Sequence, residues 1–318
     1  MKQFLTSTVL LLALTACEPA ATANGTEEST PNWVLAGKLE AKKLDEASGL
    51  QAGRDGVYFL HNDGKKHIYA IDSTGRDLGR KSLKSAGIKD WEDLTRVMGE
   101  DGPLLVVADT GDNSASRGNV SLYFLDEPEK GDMDKKLNLV HKLDVRYPDG
   151  ARDVEAISHD PHSDMILFLS KRDKPPRLYG IPRDLALVKQ ELEATFLGEI
   201  RPLRPPTRSD ILSHPKRGFW VSQPTGMDIS ADGRLAAVIT YRSLYVYERR
   251  ENESWLAAFQ REPAEFVGPR GLHEEGVTFS LDQQSIFVAT ERRPSPLYRL
   301  DLDETVLKQI RHETAADP

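Results

Sequence analysis

The stretch "TGMDISADGRLAAVITYR" (residues 225–242), continued by "SLYVYE" (residues 243–248), decides the fold. Two short runs rich in β-formers flank the turn signal Asp232-Gly233, and a third run carries the pair Leu244-Tyr245. That is the pattern of a strand, a hairpin, a second strand and a third. Three cues define the unit: an acid or hydroxyl before a small-apolar pair, an apolar strand ending in a polar residue, and a strand bearing apolar-Tyr.

The same cues recur in the same order. They read "SGLQAGRDGVYFLHND" then "IYAID", "EDLTRVMGEDGPLLVVADTGDN" then "LYFLDEP", "EAISHDPHSDMILFLSKRD" then "LYGIP", and "EGVTFSLDQQSIFVATER" then "LYRLD". The units begin at Ser48, Glu92, Glu155, Thr225 and Glu275. A spacing of very roughly 55 residues, with about four strands per unit, is blade length for a β-propeller. A β-sandwich has no reason to repeat one motif five times. The fold class is therefore all-β, a β-propeller with five detectable units. Residues 33–40, "WVLAGKLE", are placed to pair with the last blade and close the ring. The proline-rich residues 200–224 are either a long loop or a degenerate blade, which leaves five and six blades open. Residues 183–196, "RDLALVKQELEATF", are the one stretch with an ambiguous helical period.

The domain is preceded by "MKQFLTSTVLLLALTAC", in which Lys2 leads an apolar run and small residues follow. This is the composition of a signal peptide, and the run is too short to span a bilayer. Its end, Leu14-Thr15-Ala16-Cys17, resembles the lipobox of bacterial lipoproteins. The resemblance implies a signal peptide over 1–16 and lipidation of Cys17. Glu18, rather than Asp, follows it; by the same resemblance the address is the outer membrane, facing the periplasm. Residues 17–32 are small, polar and proline-bearing, as a tether would be. The propeller then occupies 33–312 and a polar tail 313–318. Cys17 is the only cysteine, which removes disulfides, zinc-thiolate sites and thiol catalysis. A net charge of -8 argues against nucleic acid and against a basic lipid-binding surface, so the lipidated cysteine carries the membrane attachment.

The runs "DWEDL", "ADTGDN", "YPDGARDVEAI", "TGMDIS" and "EGVTFS" resemble a family of secreted and periplasmic propellers of largely unassigned function, related to the phytase-like esterase families. More distantly they are similar to the six-bladed calcium-dependent phosphotriesterases, including the lactonases. The resemblance implies a six-bladed propeller with a metal site on its axis. It implies no particular substrate.

In a propeller the innermost strand of each blade begins at one mouth of the channel, and the second strand returns there. Two rows of residues converge on that mouth: Ser48, Glu92, Glu155, Thr225 and Glu275, then Asn62, Asp109, Lys171, Tyr241 and Glu291. So many like charges raise one another's pKa unless a cation or the bases Lys171, Arg172, Arg242 and Arg292 neutralise them. An all-oxygen ring suits a hard cation such as Ca²⁺, and the scattered histidines disfavour zinc. Glu92, Glu155 and Glu275 are the expected metal ligands. Asp112 joins them from "DTGDN", whose acids around Gly111 suggest a calcium loop without the spacing of an EF-hand. The acids two residues upstream, Asp90 and Asp153, are assigned to local structure. That acids occupy the first row in only three units is the main hint of a site.

Two functions fit this mouth. In the first, a binding or scaffold module recognises a peptide, a glycan or an envelope protein, with Asn62, Asn113 and Arg117 as binding groups. In the second, a calcium-dependent hydrolase acts on a phosphoester, ester or lactone: Asp109 or Glu291 is the general base, and Lys171, Arg172 or Tyr241 stabilises the developing charge. No Walker loop, Rossmann glycine pattern or nucleophile elbow points elsewhere.

Overall fold

The computed structural model describes residues 33–312, apart from 63–64, 84–86, 134–135, 269–273 and 292–294. The expected signal segment, Cys17, the tether, the tail and Arg292 lie outside the described residues.

After β1 (Val34–Lys38), blade I is built from β2 (Ala47–Ala52), β3 (Tyr58–Asn62), β4 (Lys65–Ile71) and β5 (Asp77–Ser82). Blade II holds β6 (Asp93–Met98), β7 (Pro103–Asp109), β8 (Val120–Asp126) and β9 (Leu139–Arg146). Blade III starts with β10 (Val154–Asp160), β11 (Met165–Ser170) and β12 (Arg177–Pro182). Next come α1 (Arg183–Ala186), β13 (Glu191–Glu193), which adds a parallel edge to β9 of blade II, and β14 (Thr195–Glu199), which completes blade III. The stretch with the ambiguous period is thus one helical turn and two edge strands. After α2 (Arg208–Ser213), blade IV comprises β15 (Pro224–Ile229), β16 (Leu235–Thr240), β17 (Ser243–Glu248) and, beyond α3 (Trp255–Ala258), β18 (Ala264–Val267). Blade V has β19 (Glu274–Phe279), β20 (Ser285–Thr290) and β21 (Pro296–Asp301), followed in the chain by α4 (Glu304–Ile310).

The outer strand of blade V is β1, which pairs antiparallel with β21. The first strand of the domain therefore closes the ring on the last, as residues 33–40 predict. Closure requires close approach: a Cβ on Gly37 would lie 1.8 Å from the Thr74 carbonyl oxygen. Trp33 Nε1 donates to the Val267 carbonyl at 2.8 Å, tying the entry of the chain to the end of β18.

The ring has five blades among the described residues, not the six that the family resemblance implies. The proline-rich segment is a loop. It holds only α2, capped reciprocally by Thr207 and Asp210, and a 3₁₀ turn at Gly218–Trp220. Its prolines deny the amide donors that a sheet needs.

Hydrophobic layers lie between successive blades, each packing the apolar face of one sheet on the next. The inner strands leave free edges toward the axis, and buried polar side chains cover them. Asp93 accepts from the amides of Ile157 at 2.9 Å and Met227 at 3.3 Å. Asp228 accepts from the Phe279 amide at 2.8 Å and from Thr278 Oγ1 at 2.9 Å. These groups bridge blades II, III, IV and V and plug the axis.

Candidate functional site: the charged mouth

The alternation of strand direction brings both predicted rows to one end of the ring. Glu92 immediately precedes β6, and Glu155, Thr225 and Glu275 each sit at a register shift between the first two strands of their blades. Such bulges re-aim a side chain that regular pleating would send elsewhere. Asn62 and Asp109 end β3 and β7, while Lys171, Tyr241 and Glu291 directly follow β11, β16 and β20.

At the centre, the Lys171 ammonium is ion-paired with Glu155, donates to Tyr241 Oη at 3.0 Å and lies 5.1 Å from the centre of the Tyr241 ring. Carboxylate oxygens of Glu92, Asp153 and Glu155 all fall within 4.8 Å of one another, and all three side chains are buried. The expected trio was Glu92, Glu155 and Glu275; the group assembled here takes Asp153 in place of Glu275. The sequence reading assigns Asp153 to local structure, as a turn acid two residues upstream of the row. Glu155 sits at the register shift and Asp153 directly precedes β10, and both of these blade III carboxylates come near Glu92.

Each remaining candidate has a partner. Arg172 Nε meets Asp153 Oδ2 at 2.5 Å, and its Nη2 donates to Asn113 Oδ1. The amide of Asp112 donates to Asp153 Oδ1 at 2.8 Å, while the Asp112 carboxylate accepts from the Arg117 amide at 2.7 Å. Asp109 accepts from the amides of Lys89 and Asp90, both at 3.0 Å, and pairs with Arg117 at 2.9 Å. Gly111 is required where it stands, since a Cβ there would lie 2.0 Å from Glu92 Oε1 and 2.5 Å from Asp90 Oδ2. Glu291 pairs with Arg217 of the proline-rich loop at 3.2 Å, and Arg217 sits 5.9 Å from the Tyr241 ring centre. Asn62 instead serves the N-terminal segment, donating to Lys43 O at 2.8 Å and Asp45 Oδ1 at 2.7 Å. Arg242 turns away from the acids of the mouth and clasps the loop through Asp210 and the Arg204 carbonyl.

Burial pushes the Glu155 carboxyl up to about 7, against the nearby Lys171 charge, and Asp153 adds to the rise. Burial alone would lower the Lys171 ammonium, but Glu155, Tyr241 and Glu92 outweigh it and hold Lys171 above its usual range. Tyr241 is raised by burial and by the charge of Glu275. Asp90 is raised by burial and by Asp153.

The three carboxylates offer hard oxygens at a separation that a calcium ion could bridge, yet Ca²⁺ takes six to eight oxygens. Here an ammonium already holds Glu155, a guanidinium holds Asp153, and a backbone amide takes Asp153 Oδ1. The residues present therefore fit internal compensation by Lys171 and Arg172 better than a resident divalent ion.

Fold and mouth define a class: a five-bladed β-propeller whose inner-strand entries form a dense network of ion pairs, with Lys171–Glu155 buried at its centre. No family model matches the chain, and no curated protein matches it. Among solved structures the chain is similar to hydrazine synthase of Kuenenia stuttgartiensis, at 12% identity and a TM-score of 0.36, over 77% of this chain and 56% of that one. The chain thus spans little more than half the length of that neighbour. Likeness at this level carries no chemistry across.

Proposed function

We propose that the protein is a binding or scaffold module, anchored in the bacterial envelope through lipidated Cys17 on the periplasmic side of the outer membrane, with the charged mouth as its recognition surface for a peptide, a glycan or an envelope protein. One observation carries this reading. The groups a hydrolase would need at liberty are engaged: Asp109 by two amides and Arg117, Glu291 by Arg217, Lys171 by Glu155. A general base works through a lone pair directed at its substrate, and a charge-paired rim suits recognition better than proton transfer. The test is to screen peptide and glycan arrays with the purified full chain. Saturable, salt-sensitive binding that Asn113→Ala, at an exposed position of the mouth, weakens with little change in melting temperature is expected.

A second reading rests on the grouping of Glu92, Asp153 and Glu155 within 4.8 Å. It makes the protein a calcium-dependent hydrolase of a phosphoester, ester or lactone. Ester turnover stimulated by Ca²⁺ and lost in Glu155→Gln, with no array ligand found, would replace the binding reading by this one.

A further inference from the structure

The loop between β14 and β15 presents apolar side chains to solvent beside the mouth. Leu212 of α2 is 79% exposed, and Phe219 and Trp220 of the 3₁₀ turn are 55% and 45% exposed. The backbone beneath them is fixed. Arg242 holds the Arg204 and Pro205 carbonyls and Asp210, Arg204 pairs with Glu265 of β18 at 2.8 Å, and Val221 is buried against Tyr241. Such a cluster on a held loop costs hydration in the isolated domain, which marks it as a contact surface. Arg208 and Lys216, both exposed, flank it.

We propose that this platform docks on the phospholipid surface to which the chain is tethered, an inference that rests on the lipidation of Cys17 in the reading above. Two features favour lipid. The first is composition: an aromatic and aliphatic tip with flanking cations matches the interfacial zone, where Trp settles at headgroup level and Arg and Lys meet phosphate. The second is reach. Cys17 lies sixteen residues before Trp33, a length that extends to at most roughly 55 Å. The chain enters the domain at the Trp33 bond to Val267, and the platform is fastened nearby: Gly268 donates to the Arg242 carbonyl at 2.8 Å, and the Arg242 side chain grips the loop. A short leash attached next to an apolar tip makes contact with the bilayer frequent. Docking there holds the mouth, whose Glu291 is paired to Arg217 of the same loop, at the membrane surface.

The test uses the lipidated full chain in liposomes of phosphatidylethanolamine and phosphatidylglycerol, with and without brominated acyl chains. Trp91 and Trp255 are buried but Trp33 is only half-buried, so quenching is read in a Trp33→Phe background, where Trp220 is the tryptophan exposed on the platform. The expected result is bromine quenching of tryptophan emission that disappears in Trp220→Phe. In the unlipidated Cys17→Ala chain, Leu212→Ser and Phe219→Ser should each lower partition into the same vesicles about tenfold. All three sites are exposed, so folding is retained. A chain that floats with liposomes but shows no quenching, or equal quenching in Trp220→Phe, overturns the docking inference and leaves the anchor standing. A chain that fails to float overturns the anchor and the inference with it. Protection of Trp220 from acrylamide without lipid, together with a doubled mass in sedimentation, would assign the platform to a second copy and overturn lipid docking.

Discussion

Replacing Asp228 by Ala removes the acceptor that joins blade IV to blade V at the axis. The carboxylate receives the Phe279 amide at 2.8 Å, Thr278 Oγ1 at 2.9 Å, the Ile229 amide at 2.9 Å and Ser158 Oγ at 3.3 Å. Two donors have alternatives: the Ile229 amide keeps Ser158 Oγ at 2.9 Å, and Thr278 Oγ1 keeps the Phe279 carbonyl at 3.1 Å. The Phe279 amide loses its axial acceptor in a buried place, a loss of about 1–3 kcal/mol, and the remaining bonds add to it. A destabilisation of about 3 kcal/mol is expected, measured by urea denaturation at pH 4, where the folded-state carboxyl is protonated and no buried charge offsets the lost hydrogen bonds. A loss below about 1 kcal/mol would refute the account of the axis as a hydrogen-bonded plug. Asp228→Asn isolates the ionisation. Burial pushes Asp228 up from 3.8 to about 7, despite its donors. The folded state therefore keeps the proton longer than the unfolded chain: this contribution to stability is full below about pH 4 and is lost as pH rises through about 7. The span corresponds to ~4 kcal/mol. Between pH 4 and pH 8 the wild type should thus lose stability relative to Asp228→Asn by roughly that amount. Parallel pH profiles for the two proteins would exclude a protonated axial carboxyl.

Further outcomes follow from the mouth and the closure. Lys171→Met leaves Glu155 buried without its partner, and a loss of about 3–5 kcal/mol is expected in thermal or urea unfolding; adding Glu155→Gln should recover most of it, and no recovery would show that the pair is not coupled. Because Lys171 and Arg172 already meet the carboxylate charge, chelator against millimolar Ca²⁺ should leave the melting temperature unchanged in differential scanning fluorimetry; a rise of several degrees with Ca²⁺ would return the mouth to metal binding. Gly37→Val puts a side chain into the Thr74 carbonyl, so the β1 to β21 pairing should open and β1 amides should lose hydrogen-exchange protection; retained protection would contradict closure by β1.

The blade plan was legible in the sequence because each inner hairpin obeys local chemistry. In blades IV and V the turn places Gly233 and Gln283 at positive φ, with their amides bonded to Ser230 and Ser280 three residues back. Short-range rules see such turns. That the two rows end at one mouth was equally legible, since strand direction alternates, although the register shifts that aim Glu155, Thr225 and Glu275 were not. The axial plug was not: Asp93 meets Met227 across 134 residues, and only the closed ring decides which free strand edges face each other. Asp153 was not legible as a site residue for a related reason: a turn acid is expected to bond local backbone, and only the closed ring brings its carboxylate near Glu92 of the neighbouring blade. The proline-rich segment stays open between loop and blade in sequence because its order comes from Arg242, a residue that belongs to another element.

The uneven distribution of acids in the first row, taken from sequence as a hint of a site, has a structural component. Ser48 Oγ donates to the Glu92 carbonyl at 2.8 Å, and Thr225 Oγ1 donates to the Glu274 carbonyl at 2.8 Å. In blades I and IV the row thus supplies hydroxyl clasps that reach the first residues of the next blade's inner strand. A carboxylate cannot replace them, because an ionised acid has no proton to give to a carbonyl. Glutamate in those two blades would repel the acceptor it has to hold. The hydroxyls therefore fix the backbone at Glu92 and Glu274, and the blades that they hold present Glu92 and Glu275 to the mouth. Ser48→Ala should then cost only about 1 kcal/mol of stability, yet loosen the Glu92 backbone enough to alter its electrostatic influence on Lys171. A change in the ¹⁵N shift or titration of the Lys171 ammonium in Ser48→Ala would register that coupling, and an unchanged Lys171 signal would reduce the clasp to a local bond.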